Sequence, residues 1–532
     1  MHTRRFSRAA VVLAFALAPA FAQAPAASAG QKPFHLLEAT VDDVSGALKS
    51  GQITCLQLVD LYLKRIQAYD KAGPAINALQ TVNPRALEEA GRLDAAYRSS
   101  GPVGPLHCIP TLVKDQVETK DMATTYGSAV FKDFIPNRDA TVVTRLHSAG
   151  AVILGKTTMG EFASGYFGSA SGLIRNAYDP SRHASGSSGG AGLSLTANFG
   201  VLSIGEDTGG SIRGPAAVSS LVGLRPTTPL VSRFGMMPAR PSNDTLGPMA
   251  RTVRDAAVLL DVIAGFDPND PITAYSTGQV PMSYTSFLSK DGLKGMRLGV
   301  IREPMDARAN PESADYKKVH VVFDRAVQEL KALGAEIVES VTIPDLKDRI
   351  KRVYVNNQFE TQRAVDTYLS GHPNAPVKSL HDILLSGKVA PSRAKALMNE
   401  IGRSTDQPGY LDVLLTREDT RQVVLSIMAS RGIDALIYAT FDHQPEAAPL
   451  DFLTNATIDT AGIGNNRQLS PVLGFPAITV PAGFTSDGLP VGLEFMARPF
   501  AEGLLFKIAY AYEQGSHHRK PPASTPALRG EP

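Results

Sequence analysis

The sequence predicts one large α/β domain, a central β-sheet covered by helices on both faces. Short apolar runs alternate with amphipathic stretches along most of the chain, as in a sheet whose crossovers are helices. No Pro/Ser/Gly linker divides the interior. A hydrophobic share of 43% with 20% charged residues is that of a chain able to bury a large core, not of a disordered one.

The N-terminal end reads as a targeting segment. Arg4, Arg5 and Arg8 precede an apolar run from Ala9 to Leu17, and Ala20-Phe21-Ala22 offers small residues to a signal peptidase. The run is too short for a permanent span. Residues 1–22 are expected to be a signal peptide, 23–34 a flexible segment, 35–520 the folded domain and 521–532 a flexible tail. The protein is expected to be periplasmic or secreted, with no stable membrane anchor.

The elements follow in order. Thr40-Val-Asp-Asp43 predicts a capping box, and Gly51 closes that helix. Thr54 opens a second helix, with Leu56, Val59, Leu63 and Ile66 at helical spacing. A third covers about 84–99. Strands are expected at 108–113, 151–154, 202–204, 298–301, 335–338, 435–438, 477–480 and 491–495. Helices fill about 140–148, 253–264, 314–333, 419–430 and 501–513.

Several function classes drop out. The formal net charge is +2, and no block of like charge suggests a nucleic-acid partner. The histidines are scattered and no Cys/His cluster has ligand spacing, so neither metal nor other cofactor is expected. Export would permit a disulfide between Cys55 and Cys108. Two buried free thiols are nevertheless the expectation, one in a helical pattern and one in an apolar run.

The chemistry concentrates in a glycine-rich stretch. Ser185-Gly-Ser-Ser-Gly-Gly190 is followed by Gly205-Glu-Asp-Thr-Gly-Gly-Ser-Ile-Arg-Gly214. Glycine allows positive φ and close backbone approach. Gly209-Gly210 before Ser211 fits a turn whose N–H groups hold an oxyanion while the following hydroxyl attacks. A serine needs a base. His183 and His443 have no spacing that compels a role. Lys114 ends the apolar run 108–113, where burial would favour its neutral, proton-accepting form.

Together with Gly104-Pro-Leu-His-Cys-Ile-Pro-Thr-Leu-Val-Lys-Asp115, Gly474-Phe-Pro-Ala-Ile-Thr-Val-Pro-Ala-Gly483 and Gly488-Leu-Pro-Val-Gly492, these motifs resemble the amidase signature family. The likeness extends over nearly the whole mature chain and is loosest at about 265–430. It implies a mixed central β-sheet, a nucleophile at Ser211, a bridging serine at Ser187 after a cis peptide bond, and a general base at Lys114. It implies an oxyanion hole from the N–H groups of Thr208, Gly209, Gly210 and Ser211. Ser188, Asp207 and Arg213 fall in the same motifs as supporting residues. Three positions depart from the family pattern. Cys108 and Ser185 stand where glycine is common, and Glu206 stands where threonine is frequent.

Other readings compete. Gly186-Ser-Ser-Gly-Gly190 also fits G-x-S-x-G with Ser188 as nucleophile, but that elbow needs a strand directly before it. Ser392-Arg-Ala-Lys395 fits S-x-x-K without its partner motifs. The amidotransferase branch of the family shares the core motifs but needs partner subunits. A non-catalytic ligand-binding protein retaining this fold is the alternative; loss of Lys114, Ser187 or Ser211 would have favoured it, and all three are present. The expected substrate is a small-molecule amide, anilide, carbamate or peptide amide. Tyr126, Phe167, Tyr354 and Phe441 are candidates to line its pocket.

Overall fold

The computed structural model describes residues 33–355 and 358–532. The expected signal peptide and nearly all of the 23–34 segment lie outside the described residues.

The strands are β1 (Leu79–Val82), β2 (Pro110–Lys114), β3 (Val152–Thr157), β4 (Phe167–Gly168), β5 (Gly172–Leu173), β6 (Leu202–Asp207), β7 (Val222–Arg225), β8 (Thr245–Ala250), β9 (Arg297–Val300), β10 (Glu336–Val338), β11 (Ala435–Ala439), β12 (Ala477–Phe484) and β13 (Pro490–Met496). Eleven form one sheet in the order β1-β3-β2-β6-β8-β7-β12-β13-β11-β9-β10, and β4 and β5 pair apart from it. The sheet is mixed. β2 lies parallel to β3 and β6, and β9 lies parallel to β10 and β11. The centre, from β6 through β8, β7, β12 and β13 to β11, is antiparallel.

Local sequence explains the elements. Thr40 caps the helix Val41–Lys49 in a full capping box with Asp43, and Thr54 does the same for Cys55–Tyr69 with Gln57. The helix expected near 419–430 begins earlier, at Pro408, where proline at the first turn sacrifices no hydrogen bond. The strands β1, β4, β5, β7 and β8 were not expected. Gly247-Pro248 breaks the strand signature of β8.

The parallel pairing of β2 with β6 locates the site. Thr111 sits opposite Leu202 and Val113 opposite Ile204. Both strands therefore end at one edge of the sheet, β2 on Lys114 and β6 on Glu206-Asp207. That is where parallel α/β sheets place their ligands. Among the described residues no helix is long and apolar enough to cross a membrane, and no cluster of side chains could hold a metal.

Two expectations are corrected. Cys55 and Cys108 are not free thiols but form a disulfide with Cα atoms 5.6 Å apart. Cys55 opens its helix facing the core, and the turn before β2 brings Cys108 against it within bridging reach. The 521–532 segment packs on the body. Arg65, fully buried, donates to the Thr525 carbonyl at 2.9 Å and pairs with Glu531 at 2.8 Å. The Leu36 N–H donates to the Pro532 carbonyl at 3.0 Å, tying the first described residues to the last.

The disulfide closes a loop of 53 residues. Replacing both cysteines by serine should lower unfolding stability by about 2–4 kcal/mol, read by denaturant titration. Equal stability would mean that the bridge adds nothing.

Candidate active site

Two buried strand ends and two glycine-rich turns meet at the site. Lys114, Ser187, Glu206 and Asp207 are all fully buried, while Ser211 keeps 9% exposure at the surface of the cluster. The peptide bond between Gly186 and Ser187 is cis. Lys114 Nζ lies 2.7 Å from Ser187 Oγ and 2.8 Å from Glu206 Oε2. Burial pulls the lysine below its ordinary value, and the Glu206 carboxylate opposes that shift. Ser211 Oγ makes no hydrogen bond to a described residue. The contact chain from Lys114 thus stops one hydroxyl short of it, as is common in substrate-free sites.

Asp207 organises the turn that carries Ser211. Its carboxylate accepts the N–H groups of Gly210 at 2.7 Å and Ile212 at 3.2 Å. Arg213 approaches it at 3.2 Å and Arg225 at 3.1 Å. Burial would raise this carboxyl, but the two guanidinium groups outweigh it and hold the group well below the carboxylate range. Arg213 also meets Glu494 of β13 and donates to the Arg467 carbonyl at 2.7 Å. The supporting role expected for Asp207 and Arg213 thus takes the form of a buried ion network.

The backbone donors need one correction. The Gly210 N–H, expected in the oxyanion hole, is already given to Asp207. The N–H groups of Thr208, Gly209 and Ser211 donate to no described residue. Gly209 lies against the Tyr354 ring, and a Cβ there would meet its hydroxyl at 2.0 Å unless that side chain moved. Gly210 has φ of +109°, and a Cβ would strike the Arg467 side chain.

Ser188 does not suit the elbow reading. Its hydroxyl is buried, donating to the Glu206 carbonyl at 3.0 Å and accepting the Glu206 N–H at 3.2 Å. No strand immediately precedes it. The Ser392 and Lys395 pair lies on the helix Pro391–Met398, with Ser392 buried and Lys395 exposed. His183 accepts the Ser185 N–H at 3.0 Å and stacks on Tyr166, and burial pushes it down to about 3. His443 accepts the Asn310 N–H at 3.2 Å. Neither reaches Ser211.

The candidate pocket residues divide. The Tyr354 hydroxyl covers Gly209, and Phe441 stacks on the Arg467 guanidinium at 4.1 Å. Tyr126 lines a narrow apolar cavity with Met159, Phe162 and Met237. Phe167 packs away from the site against Tyr166 and Phe452. Arg467 was missed by sequence reasoning. It is buried, donates to the Gly210 carbonyl at 2.9 Å, and burial lowers it to about 10. Arg225 and Glu494 were also missed. Each is a charged residue within an otherwise apolar strand, and that is the signal that could have found them.

A cleft of about 600 Å³ lies beside this cluster, lined by Arg138, Phe234, Pro241, Asp244, Tyr368 and Tyr410. Asp244 links it to the site by accepting the Thr208 hydroxyl at 2.8 Å.

The geometry agrees with what the sequence is similar to. The sequence model of the Amidase family matches residues 57–506. An Arabidopsis thaliana protein named Probable amidase At4g34880 is 33% identical over 511 residues, covering 92% of each chain. A glutamyl-tRNA(Gln) amidotransferase subunit from an Exiguobacterium species is 36% identical, over 89% of this chain and 97% of that one. The native peptide amidase of Stenotrophomonas maltophilia superimposes with a TM-score of 0.81 at 34% identity, over 92% of this chain and 99% of that one.

Arg213→Met should destabilise the protein by about 3–5 kcal/mol, because it leaves Asp207 and Glu494 buried without their shared cation. Chemical denaturation measures it. A loss below about 1 kcal/mol would show that Arg225 alone satisfies Asp207.

Proposed function

The chain belongs to the amidase signature family, hydrolases of carbon–nitrogen bonds other than peptide bonds, and on that premise we propose an exported serine amidase acting through an acyl-enzyme on Ser211. The observation that carries this reading is the buried contact of Lys114 Nζ with Ser187 Oγ, beside the turn that presents Ser211.

The proposed reaction needs no cofactor. Neutral Lys114 accepts a proton from Ser187, which takes the proton of Ser211. Ser211 Oγ attacks the carbonyl carbon, and the oxyanion meets the free N–H groups of Thr208, Gly209 and Ser211. The C–N bond breaks as the relay returns the proton to the leaving amine. Water then cleaves the acyl-enzyme by the same path. Asp207 and Arg213 hold the turn rather than touch substrate.

A peptide amide is the substrate class we favour. The peptide amidase of Stenotrophomonas maltophilia is similar over 99% of its length, and the adjoining cleft is roomy enough for peptide side chains. A second reading is favoured by the likeness to the amidotransferase of the Exiguobacterium species, which would make this chain the glutamine-cleaving member of a complex. Export argues against it and draws support from Arg4, Arg5 and Arg8 before the apolar run and from the disulfide. Periplasmic protein beginning at Gln23 by intact mass would bear export out; cytoplasmic protein retaining Met1 would refute it.

Purified protein alone should release ammonia from peptide amides, and Ser211→Ala should lower kcat by at least about 10³-fold without unfolding. Activity on glutamine only, or only with added partners, would favour the second reading. The pH dependence follows from Lys114. Burial lowers its affinity for a proton, which favours the amine, and the amine is lost as the pH falls. kcat/KM should therefore decline toward acid. A flat profile down to about pH 5 would contradict Lys114 as the base.

A further inference from the structure

Glu206 touches the proposed base, yet the relay gives it no task. We propose that Glu206 is a positioning residue that holds Lys114 Nζ beside Ser187 and sets the pH at which Lys114 releases its proton. The inference rests on the reading of Lys114 as the base.

The geometry supports both parts. Glu206 Oε2 lies 2.8 Å from Lys114 Nζ, and the Glu206 carbonyl lies 3.4 Å from the same nitrogen. Both side chains are fully buried, so no water competes for the pair and the contact fixes where the amine points. Threonine, frequent here in the resembling family, would offer the lysine a hydroxyl but no charge.

The far side of Glu206 regulates that charge. Its Oε1 lies 2.6 Å from the Thr208 hydroxyl, which lies 2.8 Å from Asp244 Oδ1. A hydroxyl has one proton to give. Bridging two carboxyl groups therefore requires one of them to carry a proton. Asp244 accepts the N–H groups of Ala239 at 2.8 Å and Arg240 at 2.9 Å, which favour its anion. Asp244 thus competes with Glu206 for the one negative charge the bridge allows. An ionised Glu206 favours the ammonium form of Lys114. When the shared proton sits on Glu206, the lysine loses its counter-ion and burial drives it to the amine.

Other charged groups face this pair. Asp207 ends the same strand, Arg225 approaches from β7, and Tyr354 approaches from the far side of the Gly209 turn. Arg225 is engaged by Asp207 and by the Asn243 carbonyl at 2.6 Å, so it does not replace Lys114 as the partner of Glu206.

The test is the pH profile of kcat/KM on a fluorogenic peptide amide, with fluorophosphonate labelling of Ser211 as a second readout. Glu206→Gln and Glu206→Thr remove the counter-charge and should move the acid limb to lower pH by about one unit or more. Activity at pH 6, relative to the plateau, would then rise roughly tenfold. Glu206→Asp keeps the charge and should keep the limb near that of the parent. Coincident limbs for the parent, Gln and Thr proteins would overturn the proposal. So would failure of both Gln and Thr proteins to fold, which would assign Glu206 a purely structural role. A parent without an acid limb but still labelled on Ser211 would instead overturn the reading of Lys114 as the base, and this inference with it.

Discussion

The Asp207 carboxylate sits where β6 gives way to the turn bearing Ser211. Two backbone N–H groups of that turn and two arginines converge on it. Through Arg213 the same charge reaches β13, and through Arg225 it reaches β7. A buried anion so completely paired tolerates little movement, because displacing any partner leaves charge in a dry core. The turn therefore has one low-energy shape, and the position of Ser211 follows from it. Gly210 completes the constraint, with a positive φ and packed against the Arg467 Cβ, which would reject a side chain there.

Around this anchor the sheet supplies the rest. Parallel β2 and β6 end together, so the last side chain of one meets the last side chains of the other. Lys114 is placed in an interior that disfavours its charge, next to a carboxylate that favours it. The balance of those two terms decides the protonation state on which the proposed relay depends. The proposed base would owe its reactivity to burial rather than being a histidine. His183 and His443, the histidines that sequence reasoning weighed, are both engaged elsewhere.

The motifs of the candidate site were legible because they are runs of consecutive residues that resemble those of the amidase signature family. A Gly-Gly-Ser turn, a Ser-Ser-Gly-Gly turn and a strand ending in lysine each encode a local backbone shape. The long-range parts were not legible. Arg467 and Glu494 lie more than 250 positions from the turn they brace, and no local pattern joins them. The departures from the family pattern acquire a physical meaning only in three dimensions. Cys108 and Ser185 have φ of 63° and 58°, the region glycine occupies without cost. At Cys108 the side chain gained in exchange forms a disulfide. That bridge was misread because a helix, a strand and another helix separate its halves. The mixed sheet that the resemblance implies is present, while its central antiparallel strand β8 was hidden by Gly247-Pro248.

The central claim is that Ser211 is a nucleophile made reactive by Lys114. Fluorophosphonate labelling of the purified protein, followed by peptide mass mapping, tests it most directly. The account predicts a single adduct on Ser211 that is lost in Lys114→Ala while the fold persists. An adduct on Ser188, or labelling of Ser211 undiminished without Lys114, would contradict it.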